Sequence, residues 1–207
     1  MITTAPGSAP PADPFTRFSR EPVWARVVHH ENLRALHRRR QLVLAGLLDD
    51  PREADLHFPG QRRLLEALRV TTDAELARMA AVPTALFTLP LRIDLPDLQS
   101  FRRFVPRDAL EAASIEETFL GLLNRLDALR ADPARARLYF DLSRTEAEWL
   151  VALTPPELEV LARDPLLRLQ SAVGGDFFDI VLAGDQDDAR LRVLGAAGRA
   201  RSVMGWA

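Results

Sequence analysis

The sequence predicts an all-α protein built from two tandem helical units, a duplicated bundle whose halves can pair about a pseudo-twofold axis. Three observations predict it. Apolar residues recur at helical rather than alternating spacing along most of the chain. Helix-start boxes of the form Ser/Thr-x-x-Glu recur. And one segment occurs twice: ADLHFPGQRRLLEALRVTTDAELARMAAVP, beginning at Ala54, aligns without a gap on ARLYFDLSRTEAEWLVALTPPELEVLARDP, beginning at Ala136. The match extends backwards in the same register through Asp50-Pro51 onto Asp132-Pro133, and through Leu44 and Leu47 onto Leu126 and Leu129. About fifteen identities over about forty-eight positions exceed what shared helical periodicity supplies, so duplication is the expected origin.

The expected organisation is a flexible Pro-rich tail over 1–22, a first helical unit over 23–108, and a second unit with a C-terminal extension over 109–207. The tail carries Pro6, Pro10, Pro11, Pro14 and Pro22, a composition that cannot continue a helix. From Trp24, the apolar residues Val27, Val28, Leu33, Leu36, Leu42, Val43, Leu44 and Leu47 recur at helical spacing, with Arg34, Arg38, Arg39 and Arg40 between them. This spacing predicts one or two amphipathic helices ending near Asp49-Asp50-Pro51, because Pro disfavours the α conformation in the residue before it. A short turn is then expected to carry Leu56 and Phe58, or Leu138 and Phe140, into a core. The next helix opens explicitly in the second copy, where Ser143 and Glu146 are spaced to satisfy each other's backbone donors; the first copy has Gly60 and Gln61 there. A third helix begins alike in both copies, at Thr72-x-x-Glu75 and Thr154-x-x-Glu157, with Pro155 at the first helical position. Leu76, Met79 and Ala80 match Leu158, Leu161 and Ala162 as one buried stripe each, and both helices are expected to stop at Pro83 and Pro165.

Pro90, Pro96 and Pro106 interrupt the chain between the copies, and Ser114-x-x-Glu117 is read as the box that opens the helix IEETFLGLLNRLDALRAD. After the second copy, Gly174-Gly175 breaks the chain. FFDIVLAGD then reads as a short strand or a buried helical turn, and the last segment as a weak helix diluted by Gly195 and Gly198.

Composition narrows the function classes. The chain has 207 residues, 47% of them hydrophobic, which is enough for one large core or two small ones. A formal net charge of −2 provides no global basic field, so strong autonomous binding to a polyanion is not expected. Every cation is Arg, which reads as codon bias in a GC-rich genome and favours planar, bidentate contacts. Without Cys there are no disulfides, thiolate metal sites or thiol nucleophiles. The first residues lack the basic and apolar regions of a signal peptide, and no apolar run approaches the ~18 residues of a membrane span, so a cytoplasmic location is expected.

Residues 134–169 resemble the central region of the FlhD family of flagellar transcriptional regulators. The shared pattern is an apolar helix ending near an Asp, an Ala-x-apolar-x-apolar turn, and a helix followed by Leu-Thr-x-Pro-x-apolar-x-x-Leu-Ala, here Leu153, Thr154, Pro156, Leu158, Leu161 and Ala162. The first copy keeps Thr72, Leu76 and Ala80 but has Ala74 in place of the Pro, and Leu91-Arg92-Ile93-Asp94 is similar to the Arg-apolar-Asp that follows the unit in the family. The resemblance implies a bacterial, helical, dimerising regulator that acts on DNA together with a zinc-binding FlhC-like partner. Two copies in one chain depart from the family pattern. They imply self-association or intramolecular pairing, with DNA reached through the complex.

The residues themselves nominate no catalytic, cofactor-binding or metal site, and an enzyme is not expected. His29, His30 and His37 share a helix, but the His30 to His37 spacing is two turns, too far for joint ligation. His57, between Leu56 and Phe58, reads as half-buried packing. Asp185, Asp187 and Asp188 lack the Gly and terminal Glu of a calcium loop. No phosphate-binding glycine loop or nucleophile elbow occurs. Arginine clusters are the nucleic-acid candidates: Arg38-Arg39-Arg40, then Arg102, Arg103 and Arg107, and Arg190, Arg192, Arg199 and Arg201. The last two groups are preferred, because each follows a copy of the repeat, where the resemblance places a helix-turn-helix.

Overall fold

A computed structural model describes residues 23–82, 84–93, 98–173, 177, 178 and 180. Its first helix, α1, runs unbroken from Val23 to Leu44. Gly46, at φ 71°, turns the chain out of it. Three short helices follow: α2 (Pro51–His57), α3 (Arg62–Leu68) and α4 (Asp73–Ala80). A second long helix, α5 (Ala109–Ala131), is likewise followed by α6 (Pro133–Phe140), α7 (Arg144–Ala152) and α8 (Pro155–Leu161). Among the described residues the fold is all-α apart from a two-stranded antiparallel ribbon, β1 (Phe87–Thr88) with β2 (Gln170–Ser171), and a 3-10 turn over Leu98–Phe101.

The short helices of the two halves start at positions that the repeat aligns: Pro51 with Pro133, Arg62 with Arg144, and Asp73 with Pro155. Local chemistry sets these starts. Asp50 accepts a hydrogen bond from the Arg52 N–H and Asp132 from the Arg135 N–H, each with Pro at the first helical position. Asp132 closes α5 as its C-cap and opens α6, as expected of Asp-Pro, whereas α1 ends at Leu44 and Asp50-Pro51 only opens α2; the expected turn over Leu56 and Leu138 is helical. Both leucines stand on the exposed side of their helices, while Phe58 and Phe140 are buried as expected. The boxes at Thr72, Ser143 and Thr154 form with their glutamates. Gln61, by contrast, starts α3 with no side-chain cap.

Ser114-x-x-Glu117 is not a helix start. Asp108 caps α5 by accepting from the Glu111 N–H, which places Ser114 and Glu117 in the helix interior, both buried. The long helices pack on each other and on their own short helices: α1 against α3 and α4, α5 against α6, α7 and α8. α2 reaches across to α5, and α6 to α1. One continuous apolar cluster contains Leu36, Leu64 and Leu76 from the first half and Leu122, Leu150 and Leu158 from the second. Phe177 and Phe178, both helical, join it, while residues 179 and 181–185 of FFDIVLAGD lie outside the described residues. The tail over 1–22, the three aspartates at 185, 187 and 188, and the terminal helix lie outside the described residues.

Candidate functional site

Where the two long helices meet, buried charges are exchanged between the halves. Arg39 on α1, wholly buried, donates to the Glu117 carboxylate on α5. Arg125 on α5, equally buried, donates to Glu31 on α1 at 2.8 Å. The surroundings repeat as well. Arg39 donates to the Ala35 carbonyl four residues back (3.1 Å) and to the Leu169 carbonyl of the other half (3.4 Å), with its guanidinium 4.8 Å from the Phe58 ring centre. Arg125 donates to the Gly121 carbonyl four residues back (2.9 Å) and to the Phe87 carbonyl of the other half (3.0 Å), lying 4.6 Å from the Phe140 ring. Each half thus contributes one Glu, one Arg, one aromatic platform and one backbone carbonyl, that of Phe87 in β1 or of Leu169 just before β2. In the ribbon that joins them, Thr88 faces Gln170, two positions in the same register as the paired short helices.

The two sites differ in what surrounds the guanidinium: Arg39 also lies 4.2 Å from the Phe87 ring, and its Nε has an acceptor that Arg125 Nε lacks. Arg39 Nε donates to Gln61 Oε1 at 2.5 Å, and Gln61 Nε2 in turn donates to the Leu169 carbonyl at 2.6 Å. At the corresponding place the second half has Ser143, committed to capping α7, and Arg125 Nε is buried without a partner. Burial shifts these groups against their charged forms: the Arg39 guanidinium falls below its usual range and the Glu117 carboxyl rises above its own, despite their mutual attraction.

The arginine candidates are thereby sorted. In Arg38-Arg39-Arg40, Arg39 points inward, Arg38 pairs with Glu116 (2.5 Å) and Arg40 with Asp73 (2.5 Å), so the cluster does not form a phosphate-binding patch. Consecutive helical residues diverge by about 100°, which separates three neighbours in sequence into three environments. Arg102 and Arg103 are exposed, just past the 3-10 turn. Arg107 is exposed but pairs with Glu111 at 3.3 Å, which raises its pKa. Among the described residues, no helix-turn-helix follows the first copy of the repeat: the segment holds β1 and the 3-10 turn, where prolines preclude an α-helix. Arg190, Arg192, Arg199 and Arg201 lie outside the described residues.

Of the histidines, His29 lies with Nδ1 3.0 Å from the Ala80 carbonyl, and His30 is exposed. His57 is 3% exposed, more deeply buried than its expected packing role required. Among the described residues no three His, Asp or Glu side chains converge as a metal site, and no helix is long and apolar enough to cross a membrane. Two open clefts, of about 280 and 260 Å³, flank α3; the first is lined by Gln61, Arg62, Arg63, Ser171 and Phe178. The second is lined by Asp49, Asp55 and Glu66 together with Arg62 and Arg69. Sequence reasoning missed Glu31, Glu117 and Arg125. The signal available was the recurrence of Glu, seven intervening positions and Arg in both long helices, in a register shifted from that of the repeat. Comparison of the chain with protein-family models, curated proteins and solved structures gives no match.

Proposed function

We propose that this protein is a FlhD-like regulatory subunit built as a dimer within one chain, which acts through a protein partner and leaves most of the DNA affinity to that partner. The observation that carries the proposal is the exchange of buried Arg–Glu pairs between α1 and α5. Self-complementary contacts of this kind, with group i meeting j and j meeting i, characterise twofold interfaces between identical subunits. A chain that satisfies them internally leaves its outer surfaces free for a different protein. The resemblance over residues 134–169 supplies the regulatory role, and an FlhC-like subunit is the candidate partner.

A second reading, a protein-interaction adaptor in motility or secretion that never touches DNA, is favoured by the third short helix of each half. Asp73 and Glu75 at the α4 start and Glu157 and Glu159 on α8 pair with Arg40, with the cap N–H groups and with Arg163, so carboxylates already hold the donors that a phosphate would use there. Titration of a promoter fragment at several salt concentrations, with and without the candidate partner, separates the two readings. A regulator gives a negative log–log salt slope in the complex and weak binding alone. Absence of binding at low salt under both conditions overturns the regulatory reading. A solution mass near 23.1 kDa for the isolated chain is the matching expectation for internal pairing.

A further inference from the structure

The contacts that each half makes through its first short helix are alike in position and unlike in chemistry. α2 packs against α5, and α6 against α1. At the corresponding positions 57 and 139, α2 carries His57 and α6 carries Tyr139. The His57 side chain is buried, and its Nε2 has no hydrogen-bond partner; the nearest carboxylate, Glu53 Oε2 one turn back, is 3.6 Å away and half exposed. Tyr139 is only partly buried and stays uncharged through the neutral and mildly acidic range.

We infer that His57 is an acid-sensitive latch: protonation of its imidazole loosens α2 from the second half, while the α6 contact, which carries Tyr139, holds. The charged groups that face His57 come from every element around it. Glu53 lies on α2 itself. Asp108 and Glu111 lie at the start of α5, with Arg107 beside them, and Arg168 lies in the segment between α8 and β2. Three carboxylates favour an imidazolium, but only weakly. Asp108 is held by the Glu111 N–H and Glu111 by the Arg107 backbone and guanidinium, while Glu53, 3.6 Å from Nε2, is half exposed, so solvent screens its attraction. Burial and, after it, the Arg168 charge oppose the imidazolium and hold the His57 pKa below its usual value. Arg168 cannot swing away, since it donates to the Ala162, Asp164 and Leu167 carbonyls. A group whose folded pKa is depressed takes up its proton more readily in the opened state. The closed contact is therefore favoured above pH ~6.5 and weakens as pH falls below that value, by up to about tenfold per pH unit until the folded pKa is reached.

Hydrogen exchange of the intact chain between pH 7.5 and 5.5, corrected for intrinsic rates, tests the inference together with NMR titration of the His57 ring. The expected result is a several-fold loss of protection in the α2 amides, none in the α6 amides, and a His57 midpoint below ~6.5. His57→Tyr, which installs the residue of the other half, and His57→Gln, which is smaller and neutral, should each abolish the pH response of α2. A midpoint at or above ~6.5, equal opening of α2 and α6, or a pH response that persists in both variants overturns it.

Discussion

Removal of the Glu117 carboxylate tests the pairing of the two halves most directly. In Glu117→Ala the Arg39 guanidinium stays wholly buried, between the Phe58 and Phe87 rings at 4.8 and 4.2 Å, with Gln61 and two carbonyls as its remaining partners. These are dipoles and cannot neutralise a full charge, so the cost is that of an uncompensated buried ion, about 3–5 kcal/mol. With a urea dependence of about 2 kcal/mol per M, the unfolding midpoint should fall by roughly 2 M at unchanged slope. Glu31→Ala should cost a similar amount, because Arg125 is equally buried and Asn124 Nδ2 loses the same acceptor at 3.0 Å. The double replacement Arg39→Met with Glu117→Leu removes both charges at similar volume and should recover most of the loss, since apolar substitutes for buried pairs are often neutral or stabilising by ~1–4 kcal/mol. A single-mutant cost below ~1 kcal/mol, the value of a solvated surface pair, would refute the buried interface. A double mutant as unstable as the single would refute the charge argument and leave the packing of the side-chain stems as the cause.

Leu158→Ala and Leu76→Ala, both at fully buried positions of α8 and α4, should each cost ~2–5 kcal/mol in the same urea assay. Thr72→Ala and Ser143→Ala remove the caps of α4 and α7 and should cost about 1 kcal/mol each, read as a fall in midpoint. The Glu75 and Glu157 carboxyls accept from the backbone N–H and hydroxyl of Thr72 and Thr154, which holds their pKa values below the usual range. Their contribution is complete above the unfolded carboxylate pKa and is lost as pH falls through the depressed folded one. Thermal unfolding between pH 5 and pH 3 should therefore show a smaller acid loss in Glu75→Gln than in the parent chain.

What the sequence made legible was local. A cap at Ser143 or Thr154 involves groups three residues apart, and the stripe Leu158, Leu161, Ala162 needs only the helical period, so both could be read without knowing what the helix packs against. Asp-Pro was ambiguous, because the Pro that ends one helix is also well placed as the first residue of the next. Ser114-x-x-Glu117 had the spacing of a cap, but the same spacing occurs inside helices, and Asp108 competed for the role. The buried arginines were the least legible. Charged residues within a long helix read by default as a solvated face, and only a partner helix far along the chain turns Arg39 into a core residue.

The gapless register of the repeat also fails where the long helices begin their pairing, and the failure has a structural cause. The short helices align Pro51 with Pro133, whereas the exchanged pairs align Glu31 with Glu117 and Arg39 with Arg125, a register displaced by one helical turn. The additional turn of chain in the first half lies between Arg39 and Pro51, in the connection through Gly46, whereas Asp132 alone joins α5 to α6. Leu44 and Leu47 are consequently not the equivalents of Leu126 and Leu129: the first two are 61% and 47% exposed, and the second two are buried. In the register of the pairs, Leu36 corresponds to Leu122 and Val43 to Leu129, and all four are buried. Leu44→Ala should then fall within about ±0.5 kcal/mol of the parent, as exposed substitutions do, while Leu126→Ala costs ~2–5 kcal/mol. Equal costs at the two positions, measured in one urea series, would restore the gapless register through the long helices and remove the exchanged pairing on which the dimer-like reading depends.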